Sequence, residues 1–270
     1  MRFSRMPFLL KALFLVVLVA PLALPMNFVV IQPGEATSLF PKVLKISRGD
    51  VTTYPTRGQM YLLSIWVSNP DAKVLGYQVV QCWAQADCVV MPRSVIYQRD
   101  TDTKSEIKKS TKQMKASQST ALSAARALVE EKFPNTDITR LQAKDIKVEL
   151  KNTGGPSGGL IFALGIVELL TSEDLLQGRK VAASGTISAT GKVGPIGGIA
   201  EKIIAAKKSG ATLLFASRGN CDELPTHVSG ISVVAISRLA DAVAYLENPV
   251  NSAPGASGSR EVVGCTNLRA

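Results

Sequence analysis

The sequence predicts an α/β protein in which a mixed α/β domain follows an apolar N-terminal segment and a small strand-rich segment. Strand and helix patterns alternate after residue 146. Runs of β-branched and aromatic residues, separated by Gly, Pro and Asp, fill residues 35–100. A nearly unbroken apolar run covers residues 12–31. With 270 residues, 46% of them hydrophobic and 19% charged, the chain can build a sizeable core.

The apolar run at residues 12–31 has the length of a membrane-spanning helix, since about 20 residues at about 1.5 Å each cover about 30 Å. Arg2, Arg5 and Lys11 precede it, and positive charge there keeps the N-terminus inside. A cleaved signal peptide is the alternative, but no A-x-A site closes the run. We therefore expect a single-pass signal anchor over residues 1–31 of a cell-membrane protein, with the rest of the chain outside the cytoplasm.

The four cysteines fit an oxidising compartment. Cys82 lies close to Cys88 in the strand-rich stretch, and Cys221 and Cys265 remain as a second pair, although four cysteines allow three connectivities. No C-x-x-C motif occurs and His227 is the single histidine. We therefore expect disulfides and no metal.

Four further segments follow the anchor. Residues 32–102 form a β-rich membrane-proximal segment, 103–145 a helix and linker, 146–250 the α/β domain, and 251–270 a polar tail that we expect to be disordered. The specific predictions are strands at 43–46, 60–67, 77–83, 146–150, 180–187, 212–216 and 231–236, and helices at 103–133, 158–170, 198–208 and 239–246.

The net charge of +10 could indicate a protein that binds nucleic acid. Aromatic residues make up only 6%, no recognition motif occurs, and the densest lysine cluster, residues 104–115, lies in one predicted helix. A solvated basic face, or one near anionic lipid, is the favoured interpretation. Residues 185–192 resemble a P-loop, but five residues instead of four separate Gly185 from Gly191, and Val193 replaces the required Ser or Thr. We therefore expect no nucleotide cofactor.

The segment GGPSGG at residues 154–159 lies between a predicted strand and a predicted helix. A serine at a helix N-terminus sits beside unpaired amides that can hold an oxyanion, although a glycine-rich turn with a capping serine is the structural alternative. Residues 155–159 also fit the G-x-S-x-G elbow. That mechanism needs a later acid and then a histidine, and His227 follows Asp222 by only five residues. Ser157 therefore needs another base.

A lysine can act as that base when burial lowers its pKa. Lys202 lies on the apolar face of a predicted helix, between Ile199, Ile203 and Ala206 on one side and Ala205 on the other. The alternative is a lysine whose apolar stem is buried while its amine remains in solvent.

The two blocks GGPSGGLIFALGIVELLT and SGTISATGKVGPIGGIAEKIIAAKKSGA resemble the proteolytic domain of Lon proteases over about residues 146–247. The resemblance implies that Ser157 is the nucleophile and Lys202 the general base. Ser184 stands where the family has a threonine that contacts the base. Backbone amides near Gly155, Ser157 and Gly158 are then expected to hold the oxyanion.

One departure from the family is Gly154, which replaces the aspartate of D-G-P-S. Together with the anchor, this is similar to the membrane-anchored bacterial Lon-like proteases that carry a PDZ domain. Residues 33–36, the helix around 114–121 and Asn220-Cys221 agree with that subgroup. Only residues 134–145 stand where the PDZ domain is expected, so the chain resembles a variant without it.

The resemblance implies an ATP-independent serine endopeptidase that cleaves flexible proteins or peptides outside the cytoplasm. It also implies a homo-oligomeric ring, commonly a hexamer. The expected partners are protein or peptide substrates and the membrane, with no nucleic acid, metal or cofactor. The alternative is a catalytically inactive Lon-like scaffold or binding module at the membrane surface.

Overall fold

A computed structural model describes residues 7–134, 136, 138, 141–148, 150, 153–248 and 259–265. The chain divides into two compact units. The smaller unit comprises Met1–Gln32 and Trp66–Glu106, and the larger unit comprises Pro33–Ile65 and Ile107–Ala270.

The helices and strands of the described residues are numbered in chain order. The helices are α1 Phe8–Ala23, α2 Gly76–Trp83, α3 Arg93–Ile96, α4 Thr103–Lys132, α5 Gly159–Leu170, α6 Ile199–Lys208 and α7 Leu239–Glu247. The strands are β1 Pro25–Met26, β2 Phe28–Ser38, β3 Leu44–Ile46, β4 Gln59–Val67, β5 Val74–Leu75, β6 Val89–Pro92, β7 Ile146–Val148, β8 Lys180–Ser184, β9 Thr186–Ile187, β10 Val193–Gly194, β11 Leu213–Ser217, β12 His227–Ser229, β13 Ser232–Ile236 and β14 Ser259–Glu261.

The larger unit is built on a parallel sheet with the strand order β13-β11-β8-β4. Side chains alternate between its two faces. Ala183 and Phe215 pack against α5, α7 and the buried side of α4, whereas Ala182 and Leu214 pack against α6. Both faces of the sheet are therefore covered by helices, which explains why the sequences of these strands are continuous apolar runs.

The smaller unit contains α1, α2 and an antiparallel pair formed by the first half of β2 with β6. Val30, Val74 and Val79 form a small apolar cluster there with Cys82. The disulfide Cys82–Cys88 is confirmed, as is Cys221–Cys265 in the larger unit.

The predicted strand at residues 77–83 is wrong, because this segment is helix α2. Val79 and Cys82, three residues apart, face inward, while Tyr77 and Val80 face outward. That spacing is helical, but a short apolar run does not separate helix from strand by pattern alone.

The N-terminal apolar run is not one helix. Helix α1 ends at Ala23, and Phe28–Ile31 pairs with β6 instead. Leu24 is extended because it precedes Pro25, and the proline ring disfavours the helical conformation at the preceding residue. Within the described ranges, no helix combines the length and the apolar character needed to cross a membrane. Residues 1–6 of the predicted anchor lie outside the described residues.

Part of the predicted disordered tail has regular structure. Residues 259–261 form β14, which pairs antiparallel with β12, and Cys265 is buried in its disulfide. The expectation of disorder therefore does not hold for residues 259–265. Residues 251–258 and 266–270 lie outside the described residues.

Candidate active site

Ser157 lies in the turn that leads from the glycine-rich loop into α5, and it is half-buried. Its carbonyl oxygen accepts hydrogen bonds from the amide of Gly185 at 3.0 Å and from the hydroxyl of Ser184 at 3.3 Å. In return, the amide of Leu160 donates to the carbonyl of Gly185 at 3.1 Å. The start of α5 is therefore fixed to the carboxyl end of β8.

The loop is held from the other side by α4. The amide of Gly155 donates to the carbonyl of Ser110 at 2.9 Å, and the hydroxyl of Ser117 donates to the carbonyl of Pro156 at 3.0 Å. A Cβ atom at Gly154 would lie 2.6 Å from the Ser110 oxygen and 2.7 Å from its Cβ. The close approach of α4 thus gives a local reason for a glycine at position 154.

These contacts orient the amides beside Ser157. In a planar trans peptide, the N–H points opposite to the C=O. The carbonyl of Ser157 is held by β8, so the amide of Gly158 points away from that strand. The carbonyl of Pro156 is held by Ser117, so the amide of Ser157 points away from α4. Both amides lie at the N-terminus of α5, where helical bonding leaves donors open.

The predicted oxyanion contribution of Gly155 is not supported by this geometry. Its amide is already bound to the carbonyl of Ser110, so this donor is engaged by α4. Gly155 instead allows the loop to adopt its backbone conformation, since a φ of 87° favours glycine. The geometry therefore limits the expected donors to the amides of Ser157 and Gly158.

Lys202 lies in the first turns of α6 and is only 2% exposed. Burial lowers the pKa of Lys202 to about 8, and the negative charge of Glu201 opposes that shift. At the N-cap, Gly198 adopts a left-handed φ of 69°, and a Cβ there would lie 2.9 Å from the side chain of Ile65. The glycine therefore lets α6 begin close against β4.

Topology places this lysine and the serine loop at the same edge of the sheet. Helix α6 connects β8 to β11, and these strands are parallel, so its N-terminus lies at their carboxyl edge. Ser184 ends β8 at that edge and holds the carbonyl of Ser157. Open α/β sheets bind ligands at the carboxyl ends of their strands. The structure thus brings the elements carrying Ser157, Ser184 and Lys202 together.

Ser184 is predicted to orient the lysine, whereas the hydrogen bond that its hydroxyl donates is to the carbonyl of Ser157. A hydroxyl that donates to Ser157 keeps lone pairs that can accept from an amine. Contact between Ser184 and Lys202 stays a prediction. Sequence reasoning missed Ser110, because only tertiary packing brings it to the loop.

The histidine alternative gains no support from the structure. His227 is exposed on β12, and Asp222 is exposed as well. Across the ranges that the structure describes, no group of three His, Cys, Asp or Glu side chains is placed to hold a metal ion.

Comparison with known proteins identifies the class of this fold and site. The model of the Lon protease (S16) C-terminal proteolytic domain matches residues 98–246. Lon protease 2 of Herpetosiphon aurantiacus is 33% identical over 147 residues, covering 51% of this chain and 18% of that protein. The mitochondrial Lon protease homolog of Drosophila melanogaster is 34% identical over 121 residues, covering 43% of this chain and 12% of that protein.

The chain belongs to the Lon protease (S16) C-terminal proteolytic domain family. The matched region spans less than a fifth of the length of these two relatives.

Proposed function

We propose that the chain is a serine endopeptidase in which uncharged Lys202 activates Ser157. The observation that carries the proposal is the burial of Lys202 on α6, whose N-terminus shares a sheet edge with the Ser157 loop. A pKa of about 8 leaves part of the lysine neutral near pH 7, which is the form that can accept a proton.

The reaction has two stages. Lys202 removes the Ser157 hydroxyl proton as the oxygen attacks a peptide carbonyl, and the amides of Ser157 and Gly158 stabilise the oxyanion. The protonated lysine then gives its proton to the leaving amine as the C–N bond breaks, leaving an acyl-enzyme. Water, deprotonated by the same lysine, hydrolyses the ester and regenerates the serine.

The cellular setting is also part of the proposal. Two disulfides support action in an oxidising compartment outside the cytoplasm. The exposed apolar surface of α1 supports attachment to a membrane. The proposed substrates are flexible proteins or peptides, and the proposed cleavage uses no ATP. Membership of the Lon family supports a homo-oligomeric ring.

Cleavage of a peptide library tests the enzyme. Ser157→Ala and Lys202→Met should abolish cleavage, because one removes the nucleophile and the other replaces the amine with an uncharged side chain of similar length. Ser119→Ala and Lys207→Ala alter exposed residues of α4 and α6 and should cleave like the parent protein.

A fluorophosphonate probe separates the peptidase from the inactive scaffold. Labelling of the parent protein but not of Ser157→Ala supports the proposal. Undiminished cleavage by folded Lys202→Met would refute the role of the lysine. A parent protein that neither cleaves peptides nor reacts with the probe would favour the scaffold.

A further inference from the structure

We propose that α2 of the smaller unit is a second membrane contact, which binds the surface of a lipid bilayer through Tyr77, Val80 and Trp83. This inference rests on the proposed membrane attachment through α1. It adds a contact that attachment by α1 alone does not require.

One face of helix α2 is buried in the smaller unit, and the other face is exposed. Val79 and Cys82 are buried, whereas Tyr77 is 49%, Val80 51% and Trp83 69% exposed. Such an exposure is large for a tryptophan, whose ring is usually mostly buried. The outer face therefore offers an apolar, aromatic surface that the described fold does not cover.

The same helix carries no charge. Residues 74–86 contain no Asp, Glu, Lys or Arg, and the nearest charged residues are Lys73 and Asp87. A helix that faces water normally has charged residues on its outer side. Tryptophan and tyrosine, in contrast, favour the boundary between hydrocarbon and headgroups, where an apolar ring and a polar tip are both satisfied.

Backbone contacts fix α2 at the carboxyl end of α1. Strands β1 and β5 pair in the register Pro25↔Leu75, and the amide of Gly76 donates to the carbonyl of Leu24 at 3.1 Å. A Cβ at Gly76 would collide with the carbonyl oxygen of Pro21, so glycine permits the close approach. If α1 enters the hydrocarbon, the first turn of α2 therefore lies at the depth where α1 ends.

The exposure pattern of α1 favours lipid over a protein partner. Seven successive residues, 13–19, are apolar and exposed, so the apolar surface runs around the whole helix. A protein partner covers one side of a helix, whereas lipid covers all sides. The surface of α2 continues this apolar surface at one end, which makes a bilayer the occupant that fits both.

The two tryptophans of the chain, Trp66 and Trp83, allow a direct test. Trp66→Phe leaves Trp83 as the only tryptophan, and Trp83→Phe leaves Trp66, which is 54% exposed on β4. The full-length variants are mixed with vesicles of phosphatidylcholine and a minority of phosphatidylglycerol, with or without brominated lipid. Co-sedimentation reports attachment, and bromine quenching of fluorescence reports contact with lipid.

We expect both variants to co-sediment, with Trp83 emission shifted to the blue and quenched at least about threefold more strongly than Trp66 emission. Trp83→Ser should lower vesicle affinity about tenfold, and Trp66→Ser less than about twofold.

Other outcomes overturn the inference in distinguishable ways. Co-sedimentation with Trp83 quenched no more than Trp66 overturns the α2 contact and leaves attachment by α1 intact. Failure to co-sediment overturns both. A concentration-dependent blue shift of Trp83 without vesicles would identify a second copy of the chain as the occupant. Peptide cleavage, measured separately, does not depend on any of these results.

Discussion

The hydroxyl of Ser184 donates a hydrogen bond of 3.3 Å to the carbonyl oxygen of Ser157. Ser184 is the last residue of β8 and is 1% exposed, so the sheet itself fixes its position. This bond, together with the one donated by the Gly185 amide, turns the Ser157 carbonyl towards β8 and the amide of Gly158 away from it. The end of a buried strand thereby sets the direction of a proposed oxyanion donor.

Ser184→Ala should therefore lower kcat about tenfold with little change in KM, because the peptide that carries the Gly158 amide loses one of the two hydrogen bonds that orient it towards the transition state. Ser184→Thr retains the hydroxyl and should keep most of the activity. Steady-state kinetics on one peptide, with thermal unfolding of each variant, measures both. Equal loss in the two variants would contradict a role for the hydroxyl.

The pH dependence of cleavage should follow the neutral form of Lys202. With a pKa of about 8, about 10% of the lysine is neutral at pH 7 and about 90% at pH 9. We expect kcat/KM to rise about tenfold per pH unit below pH 7 and to level above pH 9. A flat profile between about pH 6 and pH 9, with chemistry limiting the rate, would contradict this.

Glu201→Gln should move that profile to lower pH. The carboxylate of Glu201 favours the charged ammonium and so raises the pKa of Lys202, and removing its charge lowers that pKa. The ratio of kcat/KM at about pH 7 to its plateau value at high pH should then increase. Asp222→Asn removes an exposed acid of the same unit and should leave the midpoint unchanged. A shift to higher pH in Glu201→Gln would reverse the inferred sign.

Gly154→Asp should strongly reduce cleavage, because the new side chain meets Ser110 of α4 and displaces the loop that carries Ser157. Ser110→Gly removes the two side-chain atoms in its way. The double variant should therefore recover part of the activity, although glycine costs α4 about 1 kcal/mol of stability. Double-mutant kinetics tests the coupling, and losses that simply add would show that Ser110 is not the obstacle.

Stability should depend on Glu168, a carboxyl group of α5 that is 2% exposed. Burial, and then the charge of Asp174, raise its pKa to about 7 from an ordinary 4.5, although the amide of Leu175 opposes this by donating to it. The folded state thus binds the proton more tightly than the unfolded state does. This stabilisation is complete below about pH 4.5 and is lost as the pH rises through about 7.

Glu168→Gln should accordingly raise the free energy of unfolding at about pH 8 by about 1 to 3 kcal/mol, with little difference at about pH 5. Denaturant unfolding at the two pH values measures the effect. Glu173→Gln changes an exposed acid in the following loop and should alter neither value. A variant that is less stable at the higher pH would show that the ionised carboxylate is needed there.

The sequence by itself predicted the α/β class of the larger unit and singled out Ser157 and Lys202 as the candidate nucleophile and base. Apolar runs such as Leu213–Ser217 identify buried strands because both faces of the sheet must be covered. The helical spacing around Lys202 placed it among buried residues. Such features depend on residues that lie near one another in the sequence, so local patterns and short motifs are sufficient to predict them.

Only the tertiary structure decided which groups surround Ser157. Ser110 lies 47 positions before it in the sequence, and nothing in the local pattern indicates that its carbonyl engages the Gly155 amide. The pairing of Phe28–Ile31 with β6 was likewise decided by contacts between distant segments, because the apolar pattern of residues 28–31 does not distinguish a strand from the continuation of a helix. Hydrogen bonds between distant segments form only once the chain has folded, so their partners cannot be read from neighbouring residues.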